Sequence, residues 1–185
     1  MIAPRLQRQL SSPFRKRINR APSPTVALAL PWLTIVFGSL SPILPVIASA
    51  PVMPPFGFLF LIAWRQLRPG LLPVWAGAPL GAIDDLYSGQ PFGSGVLLWS
   101  GAMLVLELID ARFPWRNILI DWTVGAVLIV AYLVLAAVLA NAAGGHAPLS
   151  VILPQLLTSL LIYPLVERLI ARFDRMRLVR IRRVH

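Results

Sequence analysis

The sequence predicts an all-α polytopic membrane protein, a bundle of six transmembrane helices. Of its 185 residues, 57% are hydrophobic and only 13% are charged, whereas an ordinary soluble domain carries about 25% charged residues. A surface so poor in charge must largely face lipid. The other two observations are that the apolar residues fall into six blocks and that lysine and arginine lie only in alternate segments between them.

The six apolar blocks are the candidate spanning helices, because a helix needs about 20 mostly apolar residues to cross a bilayer. Block one carries three prolines, and blocks two and three are short, whereas each of the last three blocks is long enough to span. The blocks cover residues 26–50, 52–64, 71–83, 92–109, 118–140 and 149–170.

The 17 lysines and arginines indicate how these blocks cross the membrane. They lie near the two termini and in the connections after blocks two and four, the former connection carrying Arg65 and Arg68. Because positive charges in short loops remain in the cytoplasm, the pattern predicts six crossings with both termini cytoplasmic. The predicted units are a disordered basic tail (1–24), the transmembrane domain (25–170) and a basic amphipathic tail (171–185).

The C-terminal segment is predicted to continue block six as a basic amphipathic helix to His185. Leu169, Phe173, Met176 and Leu178 would supply apolar contacts, so the helix should lie on the inner leaflet and bind anionic lipids. Docking of a cytoplasmic partner is a second interpretation, and nucleic acid is not an expected partner. The arginines of this surface are Arg168, Arg172, Arg175, Arg177, Arg180, Arg182 and Arg183.

Catalytic signatures are missing from the sequence. The chain has no cysteine, which removes thiolate nucleophiles and cysteine-based metal sites. It also has no phosphate-binding glycine loop, no nucleophile motif and no zinc-ligand cluster. We therefore expect a protein that is not an enzyme and that needs no metal or cofactor.

The most distinctive stretch is GAPLGAIDDLYSGQPFGSG, residues 77–95, between blocks three and four. Gly77 and Gly81 share one helix face and would allow close packing against a neighbouring helix. Asp84 and Asp85 fall where that helix ends. The favoured interpretation is that one aspartate hydrogen-bonds the turn while the other faces water; a metal site or an acid–base pair, with His146 the nearest further ligand, is the alternative.

Three more acids lie at the opposite boundary. Glu107 and Asp110 lie at the end of block four and Asp121 lies near the start of block five, with Arg112 and Arg116 between the two groups. Local ion pairing explains these acids without catalysis.

A polar stripe marks block six, where Gln155, Thr158 and Ser159 fall at positions i, i+3 and i+4. This face should point inward and form interhelical hydrogen bonds. A pocket for a lipid or a small ligand is the alternative.

The segment Gly81 to Gly93, GAIDDLYSGQPFG, resembles a motif of the bacterial rod shape-determining protein MreD family. That motif, G-A-x-x-D-L-x-S-G-x-x-[LF]-G, joins the third and fourth membrane segments. Asp84 stands where the family usually has no acid, and the basic tails are longer than in the family. Weaker similarities are Pro54-Pro55, Arg116-Asn117 and Tyr163-Pro164. The motif positions matched are Gly81, Asp85, Leu86, Ser88, Gly89 and Gly93.

The resemblance implies a fold similar to the substrate-binding subunits of ECF vitamin transporters. It also implies a non-enzymatic inner-membrane component of the cell-elongation complex, which maintains cell shape by organising lateral peptidoglycan synthesis. MreC would be the nearest partner, and MreB, a RodA-type glycosyltransferase and the elongation transpeptidase would form the wider complex. Gly77, Gly81 and the turn from Asp85 to Gly93 would determine local structure and partner docking. The alternative functions are a ligand-binding subunit of an ECF-type transporter and, more remotely, a lipid-modifying enzyme.

Overall fold

The computed structural model describes residues 20–21, 24–43, 52–113, 117–146, 148–177 and 182–183. Over these residues the regular elements are helices apart from one pair of two-residue strands, which confirms the all-α prediction. Most of the predicted N-terminal tail lies outside the described residues. The α-helices are α1 Pro24–Ser39, α2 Phe56–Leu67, α3 Gly77–Ser88, α4 Ser94–Arg112, α5 Ile118–Ala142 and α6 Leu153–Arg177.

Three of the described helices are long and apolar enough to cross a membrane. They are α4, α5 and α6, the last extended by a preceding 3-10 turn to begin at Ser150. By contrast, α2 and α3 have twelve residues each and are therefore about 18 Å long, well short of a hydrocarbon core of about 30 Å. The protein is an integral membrane protein with helices of unequal length.

The short helix α2 lies at the centre of the bundle. It packs against α1, α4, α5 and α6, and most of its residues are buried. A helix that is apolar on all sides needs such a position. Phe58 stacks on Tyr132 of α5, with ring centroids 4.1 Å apart, and also meets Trp99 of α4.

The outer faces of the longer helices carry large exposed apolar side chains. Leu161 of α6 is 81% exposed, Ile118 of α5 79% and Leu108 of α4 69%. In water, such an apolar surface would drive protein molecules to associate, whereas lipid tails solvate it. This apolar exterior supports the membrane assignment independently of composition.

Two sequence expectations are wrong at the ends of helices. Arg65 lies inside α2 and is buried, not in the loop that follows. The helix predicted to reach His185 ends at Arg177, and Arg182–Arg183 pair antiparallel with Arg20–Ala21. The sequence after Arg177 interleaves β-branched residues with arginine, which favours an extended chain. The strand pair brings a segment that precedes α1 next to a segment that follows α6.

Candidate functional site: the outer turn and the arginine-rich end

The hairpin of α3 and α4 brings two backbones into direct contact. A Cβ atom added to Gly77 would lie 2.8 Å from the Trp99 carbonyl oxygen, and one added to Gly81 would overlap the Gly95 carbonyl. No side chain fits at either position without moving a helix. The shared face predicted for Gly77 and Gly81 therefore lies against α4.

Asp85 connects the two helices of the hairpin through hydrogen bonds. Its carboxylate accepts bonds from the backbone N–H groups of Gly93 at 2.8 Å and Gly95 at 2.7 Å, with longer contacts to the Ser94 hydroxyl and the Val96 N–H. The first amides of a helix lack intrahelical partners. Asp85 is thus an N-cap supplied from the preceding helix, where the usual cap position holds Gly93, which has no side chain.

The chain between Asp85 and Gly95, called here the outer turn, requires glycine at two positions. Gly89 has φ +69° and Gly93 has φ +98°, a left-handed conformation that other residues rarely adopt. The hydroxyl of Ser88 accepts a 3.4 Å bond from the Gln90 N–H. Leu86 is 67% exposed and takes no part in holding the turn.

Asp84 corrects one expectation about the aspartate pair. It is buried rather than facing water, and it lies beside Ser39 of α1 and Tyr132 of α5. Adjacent helical residues point about 100° apart, so the two carboxylates serve different neighbours. His146 is exposed in the loop after α5, and the described residues contain no group of three potential metal ligands.

The polar stripe of α6 points inward, and two of its three side chains reach the non-helical segment before α2. Gln155 Nε2 donates to the Met53 carbonyl and Thr158 Oγ1 to the Val52 carbonyl, both at 2.8 Å. The Ser159 hydroxyl donates to the Gln155 carbonyl within α6. The stripe therefore holds the extended segment that leads through two prolines into α2.

At the opposite end of the bundle, called here the arginine-rich end, Arg65 pairs with both acids of α4. Its guanidinium contacts Glu107 and lies 2.7 Å from Asp110. Glu107 and Asp110 thus pair with an arginine of α2 that is distant in sequence. The sequence predicted local pairing with Arg112 and Arg116, of which Arg116 lies outside the described residues.

A second ion-pair cluster joins the end of α6 to α1 and α2. Asp174 accepts bonds from Arg68 at 2.8 Å and from Arg177 at 2.7 Å. The hydrogen bond and the charge of Asp174 raise the pKa of Arg68, which follows α2. Arg177 also donates to the Ala27 carbonyl at 2.9 Å and lies over the Trp64 ring.

Arg177 therefore differs from the other arginines predicted to lie on the membrane surface. It is buried, because its partners come from α1, α2 and α6. Arg168, Arg172 and Arg175 are exposed as expected. Arg180 lies outside the described residues, as do the side chains of Arg182 and Arg183.

The family model of the rod shape-determining protein MreD matches residues 25–173. The chain belongs to the MreD family. No curated protein and no solved structure matches the chain significantly. The matched region covers α2 to α5 in full and most of α1 and α6, includes the outer turn, and ends within α6 just before Asp174.

Sequence reasoning missed the buried polar residues of this MreD-family chain. Gln66 donates to the Asp121 carbonyl at 2.9 Å and accepts a bond from the Tyr163 hydroxyl. The signal is present in α2, where Arg65 and Gln66 follow nine residues without a charged or amide side chain. Polar residues that extend a buried apolar helix need internal partners.

Proposed function

We propose that this MreD-family protein is a non-enzymatic scaffold of the cell-elongation complex in the bacterial inner membrane. It would organise lateral peptidoglycan synthesis with MreC as its nearest partner and with MreB, a RodA-type glycosyltransferase and the elongation transpeptidase in the wider assembly. Membership of a family of rod shape-determining proteins supports the role in cell shape.

The outer turn is the observation that carries the proposal. Its backbone is fixed by the Asp85 cap and by the contact between Gly81 and Gly95. It nevertheless presents Leu86 and Phe92, which are 67% and 74% exposed. A rigid turn with exposed apolar side chains suits docking, since little conformational freedom would be lost on binding.

The membrane topology belongs to the same proposal. We propose six crossings with both termini in the cytoplasm and a fold like that of ECF substrate-binding subunits. The short helices α2 and α3 would cross within the protein interior, with their ends shielded from lipid. The pairing of Arg20–Ala21 with Arg182–Arg183 supports an even number of crossings. On this topology, Arg168, Arg172 and Arg175 would meet anionic lipids of the inner leaflet.

The test is substitution of the exposed residues of the outer turn. Leu86→Ala combined with Phe92→Ala should lower the MreC that co-purifies about tenfold and produce rounded cells, because two apolar contacts are lost while the cap remains. Leu161→Ala is the matched control, since Leu161 is also exposed but lies on α6. Undiminished MreC and rod-shaped cells in the double variant would refute docking at this turn.

A further inference from the structure

Helix α6 carries an exposed ridge of leucines on its outer face. Four leucines recur at intervals of four residues, and each is more than half exposed. Side chains at this spacing form a continuous ridge along a helix. Arg168 is exposed on the same face at the arginine-rich end. The leucines of this ridge, called here the α6 ridge, are Leu153, Leu157, Leu161 and Leu165.

Helix α4 presents a second exposed face, which has a depression in its middle. A Cβ atom added to Gly101 would have no other atom within 4 Å, so the depression is open. Glu107 borders the face at the arginine-rich end. Its Oε2 atom contacts the buried Arg65, yet its side chain remains 54% exposed. The exposed leucines around Gly101, which complete the surface called here the α4 face, are Leu97, Leu104 and Leu108.

The contacts of α2 show that α4 and α6 run in the same direction. From the segment before α2 to its last turn, successive residues meet later and later residues of both helices. The contacts are Gly57 with Trp99 and Arg65 with Glu107 for α4, and Met53 with Gln155 and Gln66 with Tyr163 for α6. A copy of α6 can therefore lie parallel to α4 of another copy in the same membrane.

The same contacts place the two surfaces at the same depth. Glu107 is 13 residues after Ser94, and Tyr163 is 13 residues after Ser150. Since Glu107 and Tyr163 meet adjacent residues of α2, the two spans begin at about the same level. The positions that then lie at equal depth, to within one residue, are Leu97 with Leu153, Gly101 with Leu157, Leu104 with Leu161 and Leu108 with Leu165.

We propose that this protein associates with further copies of itself, the α6 ridge of one copy packing on the α4 face of the next. Leu157 would fill the depression at Gly101, because small residues let membrane helices approach closely. Arg168 lies about 8 Å deeper than Glu107 of the next copy. Its long side chain tilts back toward the start of α6 and would reach that carboxylate. Opposite charge and complementary shape favour this pairing over the pairing of two identical faces.

Because the two surfaces differ, the contact is heterologous and can repeat from copy to copy as a ring or a row. Helix α4 packs against α2, α3 and α5, and α6 packs against α1, α2 and α5, so one molecule can use both surfaces. Arg172 and Arg175 would still meet lipid headgroups. The inference is independent of docking at the outer turn: Leu161→Ala should weaken self-association and leave MreC binding unchanged.

The test is disulfide crosslinking between two differently tagged full-length copies in bacterial membranes, which is specific because the chain has no cysteine. One copy carries Leu104→Cys and the other Leu161→Cys, and a mild oxidant is added. A crosslinked dimer of the two tagged chains should form, because the proposed contact brings these positions within the Cα separation of about 7 Å that a disulfide tolerates. Two Leu104→Cys copies should not crosslink.

Val127→Cys, used in place of Leu104→Cys, is the matched control. Val127 is 61% exposed but lies on α5, outside both surfaces, so it should not crosslink to Leu161→Cys. A yield with Leu104→Cys no greater than with Val127→Cys would mean that lipid or another protein covers the two surfaces, and would overturn the inference. Equal crosslinking of two Leu104→Cys copies would overturn it as well, since the contact would then join identical faces.

Two further substitutions test the shape and the charge of the contact. Gly101→Leu in the Leu104→Cys copy should abolish the crosslink, because the added side chain fills the depression. Arg168→Glu in the Leu161→Cys copy should lower the yield about threefold, as expected for a partly exposed ion pair. Thermal unfolding identifies a variant that fails to fold, and the other variant then decides. A yield unchanged by these substitutions in folded proteins would contradict the proposed contact.

Discussion

The carboxylate of Asp85, a residue of α3, caps the N-terminus of α4. Its donors lie eight to eleven residues later in the chain. Asp85 is also the aspartate of the segment that resembles the MreD-family motif, so this position stabilises the outer turn. The positive end of the α4 helix dipole further stabilises the negative charge of Asp85.

Asp85→Ala should destabilise the protein by about 2 kcal/mol, because buried amides at the start of α4 lose their acceptor. Asp85→Asn should cost less, since the amide oxygen still accepts a hydrogen bond. Denaturant unfolding in detergent measures both. Leu86→Ala, at the exposed neighbouring position, serves as the control, and a loss as large as that of Asp85→Ala would contradict the assignment of the effect to the cap.

The sequence could predict this turn but not the partners of the other acids. Asp85 stands in a glycine-rich motif that restricts the local backbone, so its role is decided within a dozen residues. Asp84 and Arg65 depend on the tertiary arrangement, because their neighbours lie on helices distant in sequence. Periodicity places a residue on a face but does not say which helix covers that face. The sequence therefore predicts one of the two aspartates in water and Arg65 in a loop, and both predictions are wrong.

At the scale of helices, glycine decides how closely α3 and α4 approach. Gly77 and Gly81 face backbone atoms of α4, whereas Gly101 of the same α4 faces open space. The sequence predicted the close face of α3 from the spacing of its glycines. It could not say which glycines of α4 would be in contact, since Gly95 and Gly101 differ only in what lies opposite them.

Gly81→Ala should destabilise the protein by about 1–3 kcal/mol, because the added methyl group overlaps the Gly95 carbonyl and forces the helices apart. Gly101→Ala should be neutral or should stabilise by up to about 1 kcal/mol, since alanine favours helix and the space is open. Thermal unfolding in detergent compares the two. Equal effects at the two positions would show that the contact between α3 and α4 is looser than described.

For the whole molecule, the sequence predicts the number of helices and the shortness of two of them, but not what covers the two short helices. Six apolar blocks correspond to six helices, yet α2 and α3 are much shorter than a bilayer is thick. Composition showed that these blocks were apolar. Whether lipid or protein covers such a block depends on how the other helices pack around it. The sequence of the block alone does not determine that packing.

The membrane topology can be tested by cysteine labelling, because the sequence has no cysteine and single cysteines can be introduced. Tyr87→Cys and His146→Cys should react with an impermeant maleimide added outside intact spheroplasts. Arg112→Cys and Arg175→Cys should react only after permeabilisation, since the proposed topology places them in the cytoplasm. Outside labelling of either arginine position would contradict that topology.

The hydrogen bonds from Gln155 and Thr158 to the segment before α2 also constrain biosynthesis. That segment leaves the ribosome about a hundred residues before α6 does. Its carbonyl groups would lack these two partners while the intervening helices are being made. Final assembly must therefore wait for the last helix, so a nascent chain truncated before α6 should be a substrate for membrane proteases.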